Sequence, residues 1–284
     1  MTAPRLTVLV VGATGSIGRH VVAEALRRGH TVRALARNPA RARDLPSDAE
    51  VVQGDLTRPD TLAQAVAGID AVVFTHGSDG GGKAGAEQVD YGGVRNVLAA
   101  LAGQDVRVAL MTAIGVTNRG GTYNRTTESH DWKRRAERLV RASGHPYTIV
   151  RPGWFDYNAP DQHQLVMLQG DRRWAGDPSD GAVSRRQIAE VLVASLTAPA
   201  AVGKTFELVA VRGPAPRDLN VLFAAPAADA PTALDGVQDT PNQPLDAEPA
   251  RVRADLDAVR SSRARAAVRT ASRNAGVAGG KLLP

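Results

Sequence analysis

The 284-residue chain has no cysteine, which excludes disulfides, thiolate metal sites and a cysteine nucleophile. Aromatic side chains are scarce, at 4% of residues. No apolar run approaches the roughly 18 residues that a membrane-crossing helix needs. Residues 1–5 lead straight into a strand-like run with no leader pattern, so a soluble, cytoplasmic protein is expected. The six histidines are scattered and never paired at helical spacing, so no metal site is expected.

A strong charge imbalance in the body is also missing. The chain carries 35 Lys and Arg against 29 Asp and Glu, but from Arg251 onward eight basic residues face only Asp255 and Asp257. Residues 1–250 therefore hold 27 charges of each sign. The excess sits in a basic tail, either a solvated extension or a contact for a polyanion or membrane surface. Neither nucleic acid nor membrane is expected as a partner of the core.

What is present is an alternation of apolar runs and helical patterns, the signature of an α/β parallel sheet. The pattern predicts strands at Leu6–Val11, Thr31–Ala36, Ala49–Gln53, Ala71–Thr75, Arg107–Thr112 and Tyr147–Arg151, with Lys204–Val209 as a closing strand. It predicts helices at Ser16–Arg28, Thr61–Ala67, Glu87–Ala102 and Ser129–Ser143, and one capped by Ser184 running to Leu196. The glycine-rich stretch Gly77–Gly85 reads as mobile. The rhythm fits a doubly wound sheet, a Rossmann fold with a small C-terminal substrate-side region, rather than a barrel. Residues 1–211 would form that domain. A Pro/Ala-rich segment, 212–255, would pack loosely on it with one short helix near Leu219–Phe223, and 256–284 would be a flexible basic tail.

The strongest motif is Val11-Gly12-Ala13-Thr14-Gly15-Ser16-Ile17-Gly18, between the first strand and the first helix. Gly12 permits a tight turn, Gly15 lets backbone approach a diphosphate, and Gly18 lets helix and strand pack closely. Thr14, Ser16 and Ile17 lie among the amides that open the helix, so dinucleotide binding is expected. The second strand ends Leu35-Ala36-Arg37-Asn38, and the first acid after it is Asp44. An NAD site usually has an acid there to bind the ribose 2′-hydroxyl, whereas Arg37 suits a 2′-phosphate, so NADP(H) is expected. After the third strand, Asp55 can accept from the adenine amino group with Leu56 against the ring, or it can cap the following segment. Thr75, His76 and Gly77 close the fourth strand, where the chain passes near the cofactor's ribose and phosphates.

These features resemble the atypical short-chain dehydrogenase/reductases, in particular the NmrA-like, NAD(P)H-binding subgroup with its flavin, quinone and biliverdin reductases. So do Thr-Ala-Ile-Gly-Val-Thr (112–117), Asp-Trp-Lys-Arg-Arg-Ala-Glu (131–137) and Ser-Gly-His-Pro-Tyr-Thr-Ile-Val-Arg-Pro-Gly-Trp (143–154). The resemblance spans about residues 5–211. It implies that Thr112 and Lys133 stand where the family keeps a Ser and the Lys of Tyr-x-x-x-Lys. Lys133 would then bind ribose hydroxyls, unless it belongs to a solvated charged face with Arg134 and Glu137. The Tyr itself is absent, since Ser129 fills its position and Tyr123 lies ten residues before Lys133. His130, with an ordinary pKa near neutrality, is the substitute acid to consider, or else a surface or capping residue. Pro152 and Gly153 would turn the chain over the nicotinamide and offer backbone amides to its carboxamide. Trp154, Phe155 and Tyr157 would face the substrate side, joined by Trp132 and Trp174, unless they are core packing under a cap.

Two functions fit these expectations. One is an NADPH-dependent reductase of a small, flat, conjugated acceptor such as a quinone, flavin or aromatic carbonyl, where hydride transfer can dispense with a strong tyrosine acid. The other is a non-catalytic NADP(H)-binding redox sensor that acts through a protein partner.

Overall fold

The computed structural model describes residues 4–78 and 80–262. Its first half alternates strand and helix: β1 (Thr7–Val11), α1 (Gly18–Arg27), β2 (Thr31–Ala36), β3 (Ala49–Gln53), α2 (Ala63–Val66), β4 (Ala71–Phe74), α3 (Gly82–Gly85), α4 (Gly92–Ala100) and β5 (Arg107–Met111). The rest comprises α5 (Thr122–Thr127), α6 (Ser129–Ser143), β6 (Tyr147–Pro152), β7 (Trp154–Phe155), β8 (Gln164–Leu168), β9 (Ala182–Val183), α7 (Arg185–Ser195), β10 (Lys204–Val211) and α8 (Leu219–Ala224). Residues 250–262 are also helical.

The sheet order is β3-β2-β1-β4-β5-β6-β10-β9-β7, and the pairs from β3 through β6 to β10 are parallel. Successive strands alternate their side chains between two layers, because neighbours on a strand point to opposite faces. Val8, Val10, Val73, Ala109 and Val150 face the layer containing Val21 of α1 and Ile188 of α7. Leu9, Val11, Val72, Leu110 and Ile149 face Val94 of α4 and Leu139 of α6. Each buried Val, Leu or Ile among them contributes about 1.5–3 kcal/mol. The order reverses between β1 and β4, and at such a switch point ligands collect beyond the strands' carboxyl ends.

Several boundaries depart from expectation. Lys204–Val211 does not close the sheet: β8 and β9 pair with it antiparallel, and β7 extends the edge through β9. The helix expected from Glu87 is interrupted by a π-turn over Ala86–Tyr91, between α3 and α4. Within the glycine-rich stretch before it, Ser78 is held by Asp90, which accepts from its amide and hydroxyl at 3.0 and 2.7 Å.

The larger correction concerns the Pro/Ala-rich segment, which is not loosely packed. Arg134, Arg135, Arg138 and Arg141 of α6 are buried and meet its carboxylates. Asp235 pairs with Arg134 and Arg138, Glu248 with Arg135 and Arg138, and Asp229 with Arg141. Arginine is almost never fully buried unless paired, so these contacts define a strap packed against α6. The boundary expected at 255/256 falls inside the 250–262 helix, where Leu256 is buried and Asp255 accepts from the Tyr91 hydroxyl at 2.8 Å. The tail beyond residue 262 lies outside the described residues.

Candidate cofactor and substrate site

The glycine loop is built as backbone chemistry requires. Gly12 sits at φ +85°, and a Cβ there would lie 2.7 Å from the His76 amide nitrogen, where the ends of β1 and β4 cross. A Cβ on Gly18 would stand 2.0 Å from the Gly12 carbonyl oxygen, so α1 can pack this closely only through glycine. Gly15 and Ser16 are exposed between them. The amides of Ser16, Ile17 and Gly18 have no backbone acceptor among the described residues, as expected at a helix start. Thr14 lends its carbonyl to Arg19 Nε at 3.2 Å. An exposed glycine flanked by free amides fits a diphosphate.

Arg37 is exposed at the end of β2, and its charge helps hold Asp55 below the ordinary carboxylate range. Asp55 itself caps its turn: Oδ1 accepts from the Thr57 amide and hydroxyl at 2.9 and 2.8 Å. Of the two readings for this residue, the structure displays the cap. Leu56 is half-buried beside Gly93, and its carbonyl accepts from Asn96 Nδ2 at 2.6 Å.

At the end of β4, the Thr75 hydroxyl donates to the Val11 carbonyl at 3.0 Å, Gly77 is exposed, and His76 Nε2 donates to the Val89 carbonyl at 3.0 Å. His76 Nδ1 is buried without a partner. Burial pushes the His76 imidazole down to about 4, with Asp90 opposing and Lys133 reinforcing. Lys133 is not on a solvated face. Its ammonium pairs with the buried Asp90 at 3.1 Å, and its helix neighbours Arg134 and Glu137 are fully buried. One carboxylate on the π-turn thus orients both Ser78 and Lys133.

Two expectations for catalysis and one for cofactor binding meet a different geometry. The Thr112 hydroxyl donates to Glu137 Oε1 at 2.7 Å inside the core, so its proton is committed. Arg151 holds that carboxylate at 2.7 Å, and the Arg151 and Arg141 guanidiniums keep it ionised, its pKa down to about 2 despite burial. His130 is no near-neutral acid: burial, with Lys133 nearby, pushes it down to about 4. Its Nδ1 is buried and unpartnered. Tyr123 does return to it, their rings 5.3 Å apart, although Tyr123 is largely exposed. The amides after β6 are also unavailable. Gly153 N–H donates to Leu208 and Trp154 N–H to Gly181, each at 2.9 Å, because the chain continues as β7. The Pro152 carbonyl likewise accepts from Ile114 at 3.0 Å.

Trp154 and Tyr157 form an edge-to-face pair with centroids 6.1 Å apart, and they are 37% and 65% exposed. They are not core packing. Trp132, by contrast, is buried against Tyr91 and Arg135 on the opposite layer and does not join them. Trp174 is exposed.

The NAD(P)H-binding family pattern matches residues 12–199 of this chain. The chain belongs to that family. Its relatives include the photosystem II assembly factor Ycf39 of Cyanophora paradoxa, 29% identical over 73% of this chain and 64% of that protein. The chain therefore spans a little under two thirds of that relative's length. The sanguinarine reductase of Eschscholzia californica is 27% identical over 78% of this chain and 96% of that protein. Among solved structures, a putative NAD-dependent epimerase/dehydratase from Bacillus halodurans superposes with TM-score 0.63 at 25% identity, covering 77% of this chain and 97% of that one. No helix among the described residues is long and apolar enough to cross a membrane.

Proposed function

We propose that this chain is an NADPH-dependent oxidoreductase that delivers hydride to a small conjugated acceptor such as a quinone, flavin or aromatic carbonyl. The observation that carries this reading is the exposed Trp154–Tyr157 pair directly after β6. The two rings stand at right angles and offer exposed apolar surface beyond the carboxyl ends of the strands, where ligands collect. A reduced nicotinamide bound here would supply the two electrons as hydride.

The residues of this chain bind and align. Glycine-loop amides take the diphosphate and Arg37 the 2′-phosphate. Lys133, with one hydrogen already directed at Asp90, keeps donors for the ribose hydroxyls. With Thr112 committed to Glu137 and His130 neutral, neither residue is a ready acid for the product, and we assign its proton to water. That suffices where the reduced acceptor is a delocalised anion, which favours conjugated substrates over simple ketones. The name of the sanguinarine reductase relative agrees with such an acceptor.

A second reading, a non-catalytic NADP(H) sensor acting through a protein partner, draws on the same committed Thr112 and neutral His130. Loss of nicotinamide absorbance separates the two, with NADPH and NADH tested in parallel against quinones, flavins and aromatic aldehydes. Turnover with NADPH supports the reductase. Tight NADPH binding with no turnover on any acceptor selects the sensor.

A further inference from the structure

Arg185, the first residue of α7, occupies a position that no glycine-loop motif accounts for. Its Nε donates to the Ser16 hydroxyl at 3.1 Å, and its guanidinium pairs with Asp156 and lies 5.3 Å from the Phe155 ring centroid. Asp156 also accepts from the Arg185 amide at 2.9 Å. It does so from φ +61°, a left-handed conformation uncommon outside glycine but tolerated by aspartate. The glycine loop, the turn after β7 and the start of α7 thus converge on one guanidinium. Beside it opens a cavity of about 360 Å³, lined by His20, Asp156, His163 and Arg185 among others.

Stability does not explain this arrangement. The Arg185 and Asp156 side chains are 32% and 48% exposed, and exposed ion pairs contribute little. The charge at the glycine loop offers a better account. A diphosphate brings two negative charges, against which helix amides supply only partial ones. Arg19, the loop's own cation, is turned toward the Thr14 carbonyl and Asp44. Arg185 is the cation directed at Ser16.

We propose that Arg185 is a cofactor-binding residue that clamps the diphosphate of the dinucleotide against the glycine loop, with Asp156 holding the guanidinium in place until the diphosphate takes it. This rests on the dinucleotide reading above. The test is equilibrium binding to the full chain by calorimetry, using NADPH, NADH, ADP-ribose and, as a ligand without a diphosphate, 2′-AMP. Thermal midpoints are recorded for every variant.

R185Q should weaken NADPH, NADH and ADP-ribose alike by about tenfold or more, the effect of losing a charge-assisted contact, and leave 2′-AMP unchanged. R185K should recover part of the loss. D156N, which frees the guanidinium and removes a competing carboxylate, should bind ADP-ribose at least as tightly as the parent chain. ADP-ribose bound equally by R185Q and the parent would overturn the clamp. So would D156N weakening ADP-ribose as much as R185Q does, which would make the pair a structural buttress. Failure of the parent chain to bind any dinucleotide would overturn the cofactor reading and the clamp together.

Discussion

Glu207 of β10 gives the molecule a pH-dependent stability whose sign and size can be worked out. The carboxyl is buried; one oxygen accepts from Arg151 at 3.3 Å and the other from the Asp171 amide at 3.1 Å. Burial pushes its pKa from 4.5 up to about 7; Arg151 opposes the rise, while Asp171 and Asp239 add to it. The native state therefore holds this proton more tightly than the unfolded chain does. The stabilisation is complete below about pH 4.5 and is lost as pH rises through about 7, a change of at most ~3 kcal/mol. His76 and His130, pushed down to about 4, act oppositely: their contribution is present above the ordinary histidine value and is lost on acidification. A raw stability profile mixes the two, so the decisive quantity is the difference between the parent and Glu207→Gln, which copies the protonated carboxyl. Urea unfolding from about pH 4.5 to 8 should give equal stabilities at the acid end. At the alkaline end the parent should be weaker by about 2–3 kcal/mol. A difference that stays constant across the range would show that Glu207 is ionised throughout, and would refute the burial argument.

Two further perturbations follow from the site and the strap. Arg37→Asp should weaken NADPH binding by about 10–100-fold, from loss of a charged contact worth ~1.5–3 kcal/mol, and leave NADH within about twofold. Equal losses measured by calorimetry would remove the 2′-phosphate assignment. Glu248→Ala leaves the Arg135 and Arg138 guanidiniums short of their buried partner and should cost about 3–5 kcal/mol in urea unfolding. A cost below about 1 kcal/mol would mean that water screens these pairs.

The glycine loop, the six parallel strands from β1 to β6 and the capped helix α7 were legible because local patterns specify them. Ser184 and Gln187 form a reciprocal capping box, a signal contained within four residues. The two-residue strands β7 and β9 have no periodicity to read. Neither does the strap, since Arg134, Arg138 and Arg141 look like a solvated face until carboxylates 88–110 positions away are folded against them. The same limit holds at the site. Residue type and position make Thr112 and His130 candidates, but Glu137 and burial decide what their polar atoms can do. Asp90 carries no local signal. A lone acid on a helical pattern reads as surface, and only the π-turn turns it inward to Ser78 and Lys133.

One helix connects these features. Four arginines fasten α6 to the strap, while Glu137 fastens it to Thr112, just after β5, and to Arg151 of β6. Lys133, one turn before Glu137, is the residue of α6 that is fixed by the π-turn at the carboxyl edge. A lysine on a four-carbon stem carries about 2 kcal/mol of rotamer entropy, so in the role proposed above Lys133 would bind more tightly for having its position set in advance. Asp90 sets the ammonium, and the network of buried pairs sets the helix that carries it. The ionic core of α6 is thus expensive as a device for stability, because well-packed apolar side chains often do as well as buried pairs. As a device for register it is better suited, because each planar guanidinium donates to its partners from a rigid fork. The helix cannot slide or rotate without breaking several pairs at once, and the position of Lys133 is fixed with it.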